Sequence, residues 1–63
     1  MKEFKDRNEN LKNKIIELVK DDPYGLNPET LYNNIYNSTG KDESLAEIFN
    51  VPLEVLKEIR EGK

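Results

Sequence analysis

Apolar side chains recur along this chain at helical spacing, and no stretch alternates as a half-buried strand would. Leu11, Ile15, Leu18 and Val19 follow at intervals of four, three and one, with Phe4 seven residues ahead of Leu11 on the same face. Lys12, Lys14, Glu17 and Lys20 take the other faces, and Ile16 widens the stripe. The pattern predicts a helix from about Asn8 to Lys20, capped by Asn8 or Asn10. Its stripe is expected to face the protein's own core, with a homodimer contact through this helix as the alternative. Residues 1–7 are charged and are expected to fray.

Asp21-Asp22-Pro23-Tyr24-Gly25 stops the first helix. Pro23 lacks a backbone donor and disfavours helical geometry at Asp22, and Asp-Pro-Tyr-Gly suits a type I turn. Asn27-Pro28-Glu29 then predicts a second helix, with Asn27 as cap, Pro28 at the first position and Glu29 near the positive end of the dipole. Leu31 and Ile35 pair on it, as do Tyr32 and Tyr36, forming one broad face that ends near Asn37. Gly40 is free to take positive φ in the following turn.

A third helix is expected from about Glu43 to Asn50, capped by Asp42, with Leu45, Ile48 and Phe49 inward and Ala46 beside them. A fourth runs from about Pro52 to Glu61, burying Leu56 and Ile59, with Gly62 as its C-terminal cap. Val55 reads either as core or, with Leu53, as an exposed apolar anchor. The junction between these helices is tightly specified. Ala46 is small enough for close helix approach, Asn50 tolerates left-handed geometry, and Val51 can plug the corner into the core. Two amphipathic helices with such a short connection have the layout of a helix-turn-helix.

Composition narrows the function. Sixty-three residues allow one domain, residues 1–63, and bury only about 60% of the surface the unfolded chain exposes. Cys and His are absent, which removes disulfides, the usual metal ligands and the usual general base. With no Gly-rich phosphate loop either, neither an enzyme nor a cofactor-binding protein is expected. The longest purely apolar runs are pairs such as Ile15-Ile16, so no transmembrane span is expected, and the charged N-terminus has no signal-peptide character. A cytoplasmic location, a host's for a virus-encoded chain, is the expectation. Net charge is −3, and it is uneven: residues 1–22 carry six basic and six acidic side chains, residues 23–63 four and seven.

Residues 26–63 resemble the small trihelical, homeodomain-like helix-turn-helix modules of bacterial and phage proteins. Leu31, Ile35 and Tyr36 match the first helix of such modules, and Gly40 the loop. Ala46, Phe49 and Val51 match the middle, and Ile59, Gly62 and Lys63 the end. The resemblance covers 38 of 63 residues and leaves residues 8–21 as an added N-terminal helix. It implies an all-α fold of four helices and a DNA-binding transcriptional regulator, with the last helix in the major groove. The outward positions there would be Leu53, Glu54, Lys57, Glu58 and Glu61, with Arg60 at the margin. Lys41, Lys57, Arg60, Lys63 and the N-terminal Lys and Arg residues would hold phosphates. The bland reading of Lys57 and Arg60 is surface charge paired with Glu54, Glu58 or Glu61 along the helix.

Two departures bear on function. Pro52 stands where these modules usually place Ser or Thr, which caps the last helix and touches a phosphate. Three Glu on the outward face also repel phosphates, although a single Glu can accept from cytosine. The alternative expectation is therefore an acidic protein-interaction module on the same scaffold, such as a phage inhibitor, antirepressor or accessory subunit, with a basic protein as partner. Tyr24, Tyr32 and Tyr36 are candidate contact aromatics, with burial at the core edge as the commoner fate of such residues.

Overall fold

A computed structural model describes residues 3–61 as an all-α protein. The four α-helices are α1 (Glu9–Val19), α2 (Pro28–Tyr36), α3 (Asp42–Phe49) and α4 (Leu53–Glu61). A 3-10 turn, Phe4–Asp6, precedes them. No described helix is long and apolar enough to cross a membrane.

The local start and stop signals act as their chemistry requires. The Asn8 side chain accepts from the Leu11 amide at 2.8 Å, and Asn27 accepts from the Glu29 amide at 2.8 Å, with Pro28 opening α2. The Asp22 carbonyl accepts from the Gly25 amide at 3.1 Å, closing the turn between α1 and α2. The Asp22 carboxylate accepts from the Leu26 amide at 2.7 Å, so this aspartate builds the loop as well as facing solvent.

Two boundaries differ from expectation. Asp42 is not the cap of α3. Lys41 occupies that place without a side-chain bond, and Asp42 lies inside the first turn because its carboxylate is taken up by Arg60. Pro52 stands just before α4, its carbonyl accepting from the Val55 and Leu56 amides at 3.1 Å each. The proposed cap Gly62 lies outside the described residues.

The α3–α4 corner is a Schellman turn. Asn50 is left-handed, at φ 56° and ψ 47°, and is the only non-glycine among the described residues with positive φ. Its amide donates to Glu47 O at 3.2 Å, and the Val51 amide reaches back to Ala46 O at 3.0 Å. Left-handed geometry strains any residue with a Cβ, Asn less than most. Asn50→Gly is therefore expected to stabilise the fold by about 0.5–1 kcal/mol, and Asn50→Ala to destabilise it by about 1 kcal/mol. The resulting order of melting temperatures, Gly above Asn above Ala, is measurable by thermal denaturation. Equal stability of the Ala variant would show that the corner does not need this conformation.

The core joins Leu11, Ile15 and Val19 of α1, Leu31, Tyr32, Ile35 and Tyr36 of α2, Leu45 of α3, Val51 of the corner, and Val55, Leu56 and Ile59 of α4. Helices α1, α2 and α4 all pack on one another, whereas α3 packs chiefly on α4. Helix α1 is thus a third wall of the core, not an addition to a separate trihelical unit. The reason lies in the apolar faces. The α1 stripe buries Leu11 and Ile15 completely, while α3 buries only Leu45 and half-buries Ala46 and Phe49.

Two further expectations are corrected, and one open reading is decided. Ile48 does not point inward; it is 72% exposed, because α3 has a neighbour on one side only and Leu45, Ala46 and Phe49 already fill that arc. Val55 is core, the first of the two readings open to it. The residues expected to fray are tied down from residue 3 to residue 7. Phe4 meets the Tyr32 ring edge-on at 5.7 Å between centroids, and Arg7 binds α4. Tyr32 and Tyr36 are buried and stacked, whereas Tyr24 is 93% exposed on its turn.

Candidate nucleic-acid interface

Burial of Val55, Leu56 and Ile59 turns the opposite side of α4 to solvent. Glu54, Lys57 and Glu61 lie exposed on that side, one turn apart along the helix, and Leu53 and Glu58 flank them half-buried. Among the described residues there is no pocket, so the candidate site is an open helix face.

The cations expected to hold phosphates fare differently from one another. Lys57 projects from the middle of the face and Lys41 from the start of α3; both are exposed, and neither forms an ion pair among the described residues. Arg60 is turned away from the face. Its Nη1 donates to Asp42 Oδ1 at 2.5 Å and to Gly40 O at 2.9 Å, fastening α4 to the loop before α3. It pairs with none of Glu54, Glu58 or Glu61, because Asp42 is offered by the neighbouring helix. Lys63, like Lys2, lies outside the described residues.

The remaining cations are mostly engaged. Lys14 Nζ lies 3.6 Å from Glu58 Oε1, which draws that carboxylate off the α4 face towards α1. Lys5, Lys12 and Lys20 sit within 3.5 Å of Glu3, Glu9 and Glu17 respectively. Such exposed pairs are weak and exchange readily with solvent. Arg7 is different: its guanidinium donates to Glu58 O at 2.5 Å, Ile59 O at 3.2 Å and Tyr32 Oη at 3.3 Å, and so holds α4 from within.

The Arg60–Asp42 contact is a structural latch, with side-chain exposures of 20% and 33%. Charge-assisted hydrogen bonds of this kind are stronger than neutral ones, but partial exposure screens them. Arg60→Ala and Asp42→Ala are each expected to lower stability by about 1 kcal/mol, and the double variant by clearly less than the sum. Urea unfolding of the four proteins measures the coupling. Additive losses would show that the two side chains act separately.

Sequence reasoning placed Lys41, Leu53, Glu54 and Lys57 on the surface; the three charged residues are exposed and Leu53 is half-buried. It missed the inward use of Arg7 and Arg60, for which the only sequence signal is an Arg near each end of a chain otherwise rich in Lys. Comparison with protein-family models, curated proteins and solved structures returned no significant match for this chain.

Proposed function

We propose that the α3–α4 corner is a helix-turn-helix of the homeodomain-like kind and that the protein is a small DNA-binding regulator of bacterial or phage type, acting in the cytoplasm. The observation that carries this reading is the left-handed turn at Asn50, which joins α3 to an α4 whose outward face is free of packing. A helix with one side buried by Leu56 and Ile59 and the other open is suited to the major groove. Lys57 on that face and Lys41 at the edge would hold phosphates, with Lys63 as a third contact.

The charge arrangement makes the affinity and its salt dependence specific expectations. Three phosphate contacts release about three counterions, so the logarithm of the binding constant should fall with a slope of about −2.7 against the logarithm of salt. Between 50 and 200 mM salt this amounts to about 40-fold weakening. A titration of mixed-sequence duplex DNA is expected to show micromolar binding at the lower salt. Lys57→Gln is expected to flatten the slope by about one and to weaken all sequences alike. Absence of binding at about 50 mM salt, where non-specific contacts are strongest, would overturn the reading.

A second reading, an acidic protein-interaction module on the same scaffold, is favoured by a different observation. Glu43, Glu47, Glu54 and Glu61 are exposed and form no ion pair among the described residues, against Lys41 just before α3 and Lys57 on α4.

A further inference from the structure

Apolar side chains reach the surface in close succession where α3 turns into α4. Ile48 is 72% exposed, Pro52 is exposed, and Phe49 and Leu53 are half-buried. The left-handed turn at Asn50 reverses the chain between them, which gathers residues 48–53 into one corner of the molecule. Packing does not account for Ile48, since Leu45, Ala46 and Phe49 supply the α3 contribution to the core. Helix propensity does not account for it either: a β-branched residue is a weaker helix former than the Glu or Lys that a solvated position favours. A lone exposed aliphatic would be ordinary, but four apolar residues within six positions form a knuckle.

Carboxylates outnumber cations around this knuckle, Lys57 one turn after Leu53 being the exposed cation nearest to it. Glu47 precedes Ile48 and Glu54 follows Leu53, and Glu43 lies one turn before Glu47; all three are exposed. None forms an ion pair among the described residues, and the one α3 carboxylate that does so is Asp42, bound to Arg60. Helix α3 itself contains no cation. The flanking cations, Lys41 and Lys57, stand beyond the two ends of this acidic run.

We propose that the α3–α4 corner docks a basic amphipathic segment of a partner protein. An apolar side chain of that segment rests against Ile48 and Leu53, and its Lys or Arg residues face Glu47 and Glu54. The proposal deepens the protein-interaction reading by naming its surface and the chemistry of the occupant, and it does not require DNA binding. Leu53 and Glu54 also belong to the outward face of α4, so an occupant here excludes DNA from that face.

The probe is a labelled helical peptide of Lys and Leu, with the Leu residues on one face, titrated into isotope-labelled protein at about 150 mM salt, where simple charge attraction is screened. The expected result is a set of amide shift changes confined to residues 43–54. Ile48→Lys is expected to weaken binding at least tenfold. Ile16→Lys, which adds the same charge at an exposed apolar position on α1, should leave it within about twofold. Both sites are solvent-exposed, and circular dichroism verifies that both variants fold. The proposal is overturned if the shifts scatter over the surface, if the two variants weaken binding equally, or if oligolysine of equal length binds as tightly as the amphipathic peptide. Because no DNA enters this titration, its failure is separate from a failure of the DNA reading.

Discussion

Leu56→Ala is expected to lower the melting temperature more than any other single truncation considered for this protein. Leu56 is fully buried on α4, the helix that packs against α1, α2 and α3 alike. Truncating a buried Leu removes its transfer free energy and leaves a cavity, costing about 2–5 kcal/mol. A domain of this length has a total stability of about 3–9 kcal/mol at ordinary per-residue values. One substitution at the hub therefore removes a large share of the whole. In a domain of this size each kcal/mol moves the melting temperature by about 4–8 °C, so a fall of at least about 10 °C is expected. Ile48→Ala is the internal control: it removes an isomeric aliphatic side chain of the same size from a neighbouring helix, yet should change stability by no more than about 0.5 kcal/mol because that side chain is solvated. Far-ultraviolet circular dichroism melts of both variants decide the matter. Comparable losses from the two would mean that α4 is not where the core is concentrated.

The contrast between Leu56 and Ile48 also shows which features of the fold were legible in the sequence. Leu11, Ile15, Leu56 and Ile59 are apolar at helical spacing on helices with neighbours on two sides, and periodicity alone sends them inward. Ile48 satisfies the same rule three residues after Leu45, but α3 has a neighbour on one side only. How much of an apolar arc is used depends on how many elements surround it, and no local pattern records that number. The cap Asn27, the Asp22–Gly25 turn and the left-handed Asn50 were legible because each is settled within about five residues by backbone chemistry, whereas the first cap was legible only as Asn8 or Asn10 and is Asn8. Asp42 shows how that logic fails. It has the right chemistry for a cap, but an Arg eighteen positions away offers its carboxylate a stronger partner.

The candidate interface was legible to the same degree. Burial of Leu56 and Ile59 fixes by helical geometry which positions of α4 face outward, so Glu54, Lys57 and Glu61 follow directly. Which cations remain free does not follow. A count along the chain treats Arg7, Lys57 and Arg60 as equals. In three dimensions Arg7 and Arg60 bond backbone carbonyls and a carboxylate, and Lys57 projects into solvent. The division fits the side chains' chemistry. A planar guanidinium with several fixed donors can satisfy two carbonyls at once, whereas a flexible, strongly hydrated ammonium is better suited to the surface.

That division sets the second large effect, expected at Arg7. Helix α4 ends with carbonyls that have no partner within the helix. Arg7 supplies donors to those of Glu58 and Ile59 and lies over the Tyr32 ring at 5.8 Å, placing a positive charge at the negative end of the α4 dipole. Phe4 anchors the same segment against Tyr32 of α2, so residues 3–7 link α2 to the end of α4. Hydrogen bonds to a charged group contribute about 1.5–3 kcal/mol each when well shielded. Water can replace part of this at a half-buried site, so Arg7→Ala is expected to cost about 2 kcal/mol in total. Arg7→Lys should recover less than half, because an ammonium keeps the charge but not the forked geometry or the ring stacking. Amide hydrogen exchange separates this account from a general loosening. The last turn of α4 should open first in Arg7→Ala, ahead of the first turn of α2, which Asn27 caps independently. Equal acceleration in both turns would mean that Arg7 contributes to global stability without holding the end of α4. Full recovery in Arg7→Lys would assign the effect to charge alone.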